Sequence, residues 1–180
     1  MPDVETRPVK RGPTSAALLL AALAAAPASA QNVIAQDDWE GFAMRDPGNR
    51  FDRCALYNRS VAALTASPYE MLGITRDATG RIGLLIFYTP GTLTRGATSV
   101  DIRLDGRAPV TVPGEVLSDF HAGVSTLDGA TVSALRAAKE LELRIEGHAI
   151  RFALNNIGAV LDRLDACVKT YGPKSSDPAQ

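Results

Sequence analysis

His121 is the side chain best equipped for chemistry in this chain. It lies in the run Ser118-Asp119-Phe120-His121-Ala122-Gly123-Val124-Ser125, with Asp119 two residues before it and Ser125 four after. An acid, a histidine and a serine are the parts of a nucleophilic hydrolase, in which the imidazole takes the hydroxyl proton and the carboxylate orients the ring. Such a triad is made by geometry and not by adjacency, and the G-x-S-x-G elbow that would present a nucleophilic serine is missing. The plainer reading, a strand or loop histidine held by a hydrogen bond, is preferred, and no catalytic residue is assigned. His148, the other histidine, falls in a predicted hairpin turn and reads as solvated.

Metal and phosphate chemistry find less support. Two distant histidines and scattered carboxylates have no zinc or calcium ligand spacing. Gly91 to Gly96 lacks the lysine and the following helix of a phosphate-binding loop, so no cofactor or metal is expected. Arg45, Arg50, Arg53 and Arg59 cluster around the first turn, and Arg76 and Arg81 flank a later hairpin. These arginines suit either an anion-binding patch or the charged edges that keep a β protein soluble. Arg53, Tyr57, Arg59, Arg76, Arg81 and His121 are the candidate binding residues, with Trp39, Tyr69, Phe87 and Tyr88 as further aromatics for a binding face or the core. Cys54 and Cys167 are the only cysteines. In an exported chain an even pair is most simply a disulfide.

The elements that would position these residues follow from periodicity. Asn156 to Tyr171 has apolar residues at Ile157, Val160, Leu161, Leu164, Val168 and Tyr171, one buried helix face. Asn155 or Asn156 is expected to cap its first turn and Gly172-Pro173 to stop it. Asp162 and Asp165 are expected on its solvent side, offset by Arg163 and Lys169. Strands are expected at Trp39–Met44, Arg53–Ser60, Tyr69–Arg76 and Arg81–Tyr88, the last apolar throughout and so central. Ser99–Leu104 and Ala108–Val112 flank an Asp105-Gly106 turn. Two further short strands are placed around Glu115–Asp119 and Phe120–Leu127. A helix capped by Thr131 covers Val132–Glu140, and a last hairpin joins Leu141–Ile145 to Ala149–Leu154. Many short strands with one short and one long terminal helix predict an antiparallel α+β fold, a curled sheet or sandwich with the helix packed on it.

Lys10 and Arg11, the apolar run Ala16–Ala26 and Ala28-Ser29-Ala30 read as a cleavable export signal over residues 1–30. The run is too short to span a bilayer, which takes about 20 residues. Removing it takes three basic and two acidic residues from totals of 19 and 20, leaving 16 against 18. So balanced a chain has no long-range attraction for nucleic acid or an anionic membrane. Residues 31–171 are read as one domain and 172–180 as a disordered polar tail. The expected location is the periplasm or outside the cell.

Three segments carry a resemblance: V-D-I-R-L-D-G-R-A-P-V from Val100, A-L-R-A-A-K-E-L-E-L-R-I-E-G from Ala134, and F-A-L-N-N-I-G-A-V-L-D-R-L-D-A-C ending at Cys167. Together with a Trp39 strand and Cys54, they resemble in outline the invasion-associated locus B family of small exported proteins. The resemblance implies a β-rich periplasmic or surface domain with a disulfide and a non-enzymatic role, and it brings no site residues. The expectation is thus a periplasmic binding or interaction domain that engages another envelope protein or a small anionic ligand through one sheet face. The alternatives are a hydrolase using His121, and an enzyme inhibitor acting through a loop at Thr89–Ala97.

Overall fold

The computed structural model describes residues 33–58, 71–88, 91 and 93–174. The expected signal segment, the end of the tail, Arg59, Tyr69 and part of the Thr89–Ala97 loop lie outside the described residues. Ten strands form one antiparallel sheet: β1 (Val33–Gln36), β2 (Trp39–Arg45), β3 (Phe51–Asn58), β4 (Met71–Asp77), β5 (Ile82–Phe87), β6 (Gly96–Leu104), β7 (Val110–Ser118), β8 (His121–Val124), β9 (Glu140–Ile145) and β10 (His148–Ala153). Among the described residues two helices, α1 (Gly129–Ala137) and α2 (Ile157–Tyr171), complete the α+β architecture. The spatial order is β1-β2-β3-β4-β5-β8-β7-β6-β9-β10. The first five strands are a meander. The chain then crosses to β6 and returns, so that β8 lies against β5.

Alternation gives every strand an inner and an outer face. The inner face carries Cys54 and Leu56 of β3, Leu72 and Ile74 of β4, Leu84 and Ile86 of β5, Val100 and Ile102 of β6 and Leu141, Leu143 and Ile145 of β9, all buried in one apolar cluster. Since residues of both sheet halves share that cluster, the sheet is curled. Helix α2 closes the core by packing its Ile157, Val160, Leu161 and Leu164 stripe on β1 to β4 and on α1. Central placement of the apolar strand β5 follows the expectation. Cys54 and Cys167 form a disulfide with a Cα–Cα distance of 6.2 Å, tying α2 to β3.

Several local expectations are corrected. Asn156 does not cap α2: its backbone is left-handed (φ 55°), no side-chain cap bond forms, and its amide donates to the Asp37 carboxylate at 2.8 Å. Asp128, and not Thr131, caps α1, accepting from the Thr131 N–H at 2.6 Å, and that helix ends at Ala137. The partners of Asp162 and Asp165 are Arg136 and Arg76, each at 2.6 Å, so these carboxylates join α2 to α1 and to β4. The segments expected as separate strands at 108–112 and 115–119 are one strand, β7. Pro113 is tolerated there because pairing with β8 begins only at Glu115, leaving that side of β7 without a ladder partner. Strand β1, unexpected, pairs with β2 through a turn at Asp37 (φ 51°).

Candidate functional site

The outer face of β2 to β8 is where the chemistry-bearing residues gather. The register aligns Tyr57, Gly73, Leu85, Gly123 and Glu115 in one row across β3, β4, β5, β8 and β7. Gly73 has no side chain because Tyr57 lies across it: a Cβ would sit 2.8 Å from the Tyr57 ring carbons. The ring thereby reaches Phe87 of β5, edge-on, with centroids 5.9 Å apart. Phe87 stacks flat on His121 of β8 at 4.7 Å, and Phe42 of β2 tilts against Tyr57 at 6.1 Å. An aromatic run thus crosses the outer face. Burial raises the pKa of the Tyr57 hydroxyl against the lowering charge of Arg53, and burial lowers that of the His121 imidazole.

Beside this run the face is hollow. Gly114 and Gly123 line a cleft of about 340 Å³, flanked by Leu85, Leu117 and Pro113 and bounded at one end by Arg53, Thr75 and Ser125. At Gly83 a Cβ would meet the carbonyl oxygen of Val124 at 2.6 Å, so the backbones of β5 and β8 pack too closely for any side chain. Leu117, which lines the cleft, is 44% exposed, a large apolar side chain open to solvent. Arg53, Thr75 and Ser125 also wall a second cavity of about 260 Å³, which runs on toward Asp52, Asp77 and Arg81.

The arginines do not converge on an empty anion site. Arg53 pairs with Asp52 at 2.8 Å, Arg81 with Asp77 at 2.6 Å and Arg50 with Asp46 at 2.8 Å, while Arg45 donates to the Asn49 carbonyl. Arg76 points to the inner side, where it holds Asp165 of α2. Of the candidate binding residues, Arg53, Tyr57 and His121 therefore share the outer face, Arg81 stands at its hairpin end, and Arg76 lies behind it. Trp39 and Tyr88 are core residues. Farther along the face, over β9 and β10, the surface turns charged: Glu142 is held by Arg151 at 2.8 Å and Arg144 at 3.3 Å.

The parts of a triad are not assembled. Asp119 is exposed and faces Arg95 at 3.3 Å. Ser125 is four residues beyond His121 along the extended chain, about 13 Å at strand spacing. The His121 Nε2 atom is buried with no hydrogen-bond partner among the described residues. No group of three or more histidine, cysteine or acidic side chains that could hold a metal occurs among the described residues.

Sequence reasoning missed the cleft itself. Its signal is nonetheless present in Gly114 and Gly123, single glycines inside strands, which mark places where another group approaches the backbone closely. What no local pattern reveals is that β8 lies between β5 and β7 and sets Gly123 beside Leu85 and close to Gly114.

No family model and no curated protein matches the chain. Among solved structures, the fold is similar to the crystal structure of invasion-associated protein B from Bartonella henselae, with a TM-score of 0.55 and 17% sequence identity, over 77% of this chain and 97% of that one. At that identity the likeness is one of fold, and it agrees with the outline carried by the three sequence segments.

Proposed function

We propose that this chain is an exported, non-catalytic binding domain of the bacterial envelope, which engages its partner through the outer face of β3, β4, β5, β8 and β7. The observation that carries this reading is the 340 Å³ cleft on that face, floored by glycine and flanked by half-exposed apolar side chains. Its size falls in the range of about 300–1,000 Å³ usual for small-ligand sites. Export is supported by the leader-like N-terminal segment and by the disulfide, which persists in oxidising compartments. No helix among the described residues is long and apolar enough to cross a membrane.

The test is capture from native envelope extract on the immobilised mature chain, beginning at Gln31, in parallel with its Gly123→Leu variant. A Cβ at Gly123 would lie 3.4 Å from the Leu117 Cδ1 atom, an ordinary contact, so the backbone there accepts a Cβ, and the variant is designed so that the rest of the leucine takes up cleft space. The expected outcome is a stoichiometric protein or a co-purifying small molecule that the variant fails to retain. Equal capture by both forms would remove the outer face from consideration.

A further inference from the structure

We infer that the cleft takes a small single-chain amphiphile whose head group carries both charges and no net charge. This rests on the binding-domain reading and adds the chemistry of the occupant.

The two connected cavities differ in character. Over Gly123 the walls are Leu85, Leu117 and Pro113, a surface for a hydrocarbon tail. Past Arg53, Thr75 and Ser125 the second cavity is polar, and its charges come as two ion pairs, Arg53 with Asp52 and Arg81 with Asp77. An anionic head would compete with a carboxylate for its arginine and leave that carboxylate unpaired in a partly desolvated site. A cationic head would do the same to a guanidinium. Either arrangement places like charges together or strands a charge, which is how interfaces reject partners. A zwitterionic head meets both signs at once and displaces neither pair. Glu115, at the rim of the apolar cavity, weighs further against an anion.

The experiment is calorimetric titration of the purified protein with decylphosphocholine, decyl sulfate and decyltrimethylammonium, each below its micelle concentration. The three share one tail and differ only in head charge. The expected result is one-to-one binding of the zwitterion at least about tenfold tighter than of either ion. Gly123→Leu should abolish that binding. Leu117→Ser, at an exposed position lining the cleft, should weaken it. Equal or tighter binding of the anion or the cation would overturn the inference, as would zwitterion binding that neither substitution changes. If no decyl compound binds while Gly123→Leu still loses its envelope partner, the ligand class is wrong and the binding reading stands. If capture is also unchanged, both fall.

Discussion

Asp77 shows how much one carboxylate organises at the polar end of the cleft. Its Oδ1 accepts from the Thr79 N–H at 2.9 Å, the Thr79 hydroxyl at 2.7 Å and the Arg81 N–H at 3.0 Å, and its Oδ2 from the Arg81 Nε at 2.6 Å. Burial pushes its pKa up, but the hydrogen bonds from Thr79 and Arg81 outweigh it and hold the group at about 2, below the ordinary 3.8. The unfolded chain therefore takes up this proton at higher pH than the folded one. The stability Asp77 contributes is complete above about pH 4 and is lost as pH falls through 4 toward 2. Asp77→Asn should cost about 1–2 kcal/mol near neutrality and flatten that part of the acid limb. Urea unfolding of both proteins at pH 6, 4, 3 and 2 checks it, and an unchanged acid limb would assign the acid sensitivity to other carboxylates.

At the scale of elements, the central strands are shaped by what they omit. Gly83 and Gly123 lie on adjacent strands of the same face, yet their surroundings differ. A methyl group at Gly83 would meet the carbonyl oxygen of Val124 at 2.6 Å and the Thr75 hydroxyl at 2.9 Å, whereas one at Gly123 meets nothing closer than 3.4 Å. Gly83→Ala should therefore force β5 and β8 apart at a cost of about 1–3 kcal/mol. Gly123→Ala should stay within about 0.5 kcal/mol of the parent. Thermal and urea unfolding of the two variants give the comparison directly. Similar losses for both would mean that glycine is needed there for backbone freedom and not for close packing. Helix α2 is the opposite kind of element, defined by what it buries: its apolar stripe needs β1 to β4 beneath it, and its Asp162 and Asp165 fasten its outer sides to Arg136 and Arg76.

For the whole molecule, the disulfide is the covalent long-range constraint. It joins residues 113 apart, linking the third strand to the last turn of the last helix. On the chain-entropy model, closing such a loop stabilises the fold by about 4–5 kcal/mol. The double variant Cys54→Ser, Cys167→Ser should lose about that much in urea unfolding, more than any surface change. A loss under about 1 kcal/mol would show that α2 is held by its apolar stripe and ion pairs alone. The two halves of the outer face also differ as surfaces. Over β9 and β10 the carboxylate of Glu142 is covered by arginines, while over β5, β8 and β7 apolar side chains border an open cleft. This asymmetry is the reason the proposed binding role is assigned to one side.

By itself the sequence determined the local elements. Alternating strands, the Asp105-Gly106 turn, the apolar stripe of α2 and the pairing of the only two cysteines were legible, because each depends on neighbours within a few residues or on a choice with one solution. Where it misled, a distant partner overrode a local preference. Asn156 gave its side chain to Asp37 and not to its own helix. One strand was expected to end at Val112 and another to begin near Glu115, yet pairing with β6 carries a single strand through Pro113 and Gly114. The candidate site was less legible still. Tyr57 and His121 could be named, but their shared surface with Phe87 exists only because β8 returns to pair with β5. Only the tertiary structure decided that Arg53 and Ser125 face one cleft and that Arg76 faces α2. Strand order and register are set by which apolar faces can be buried together, a property of the whole chain that no single stretch contains.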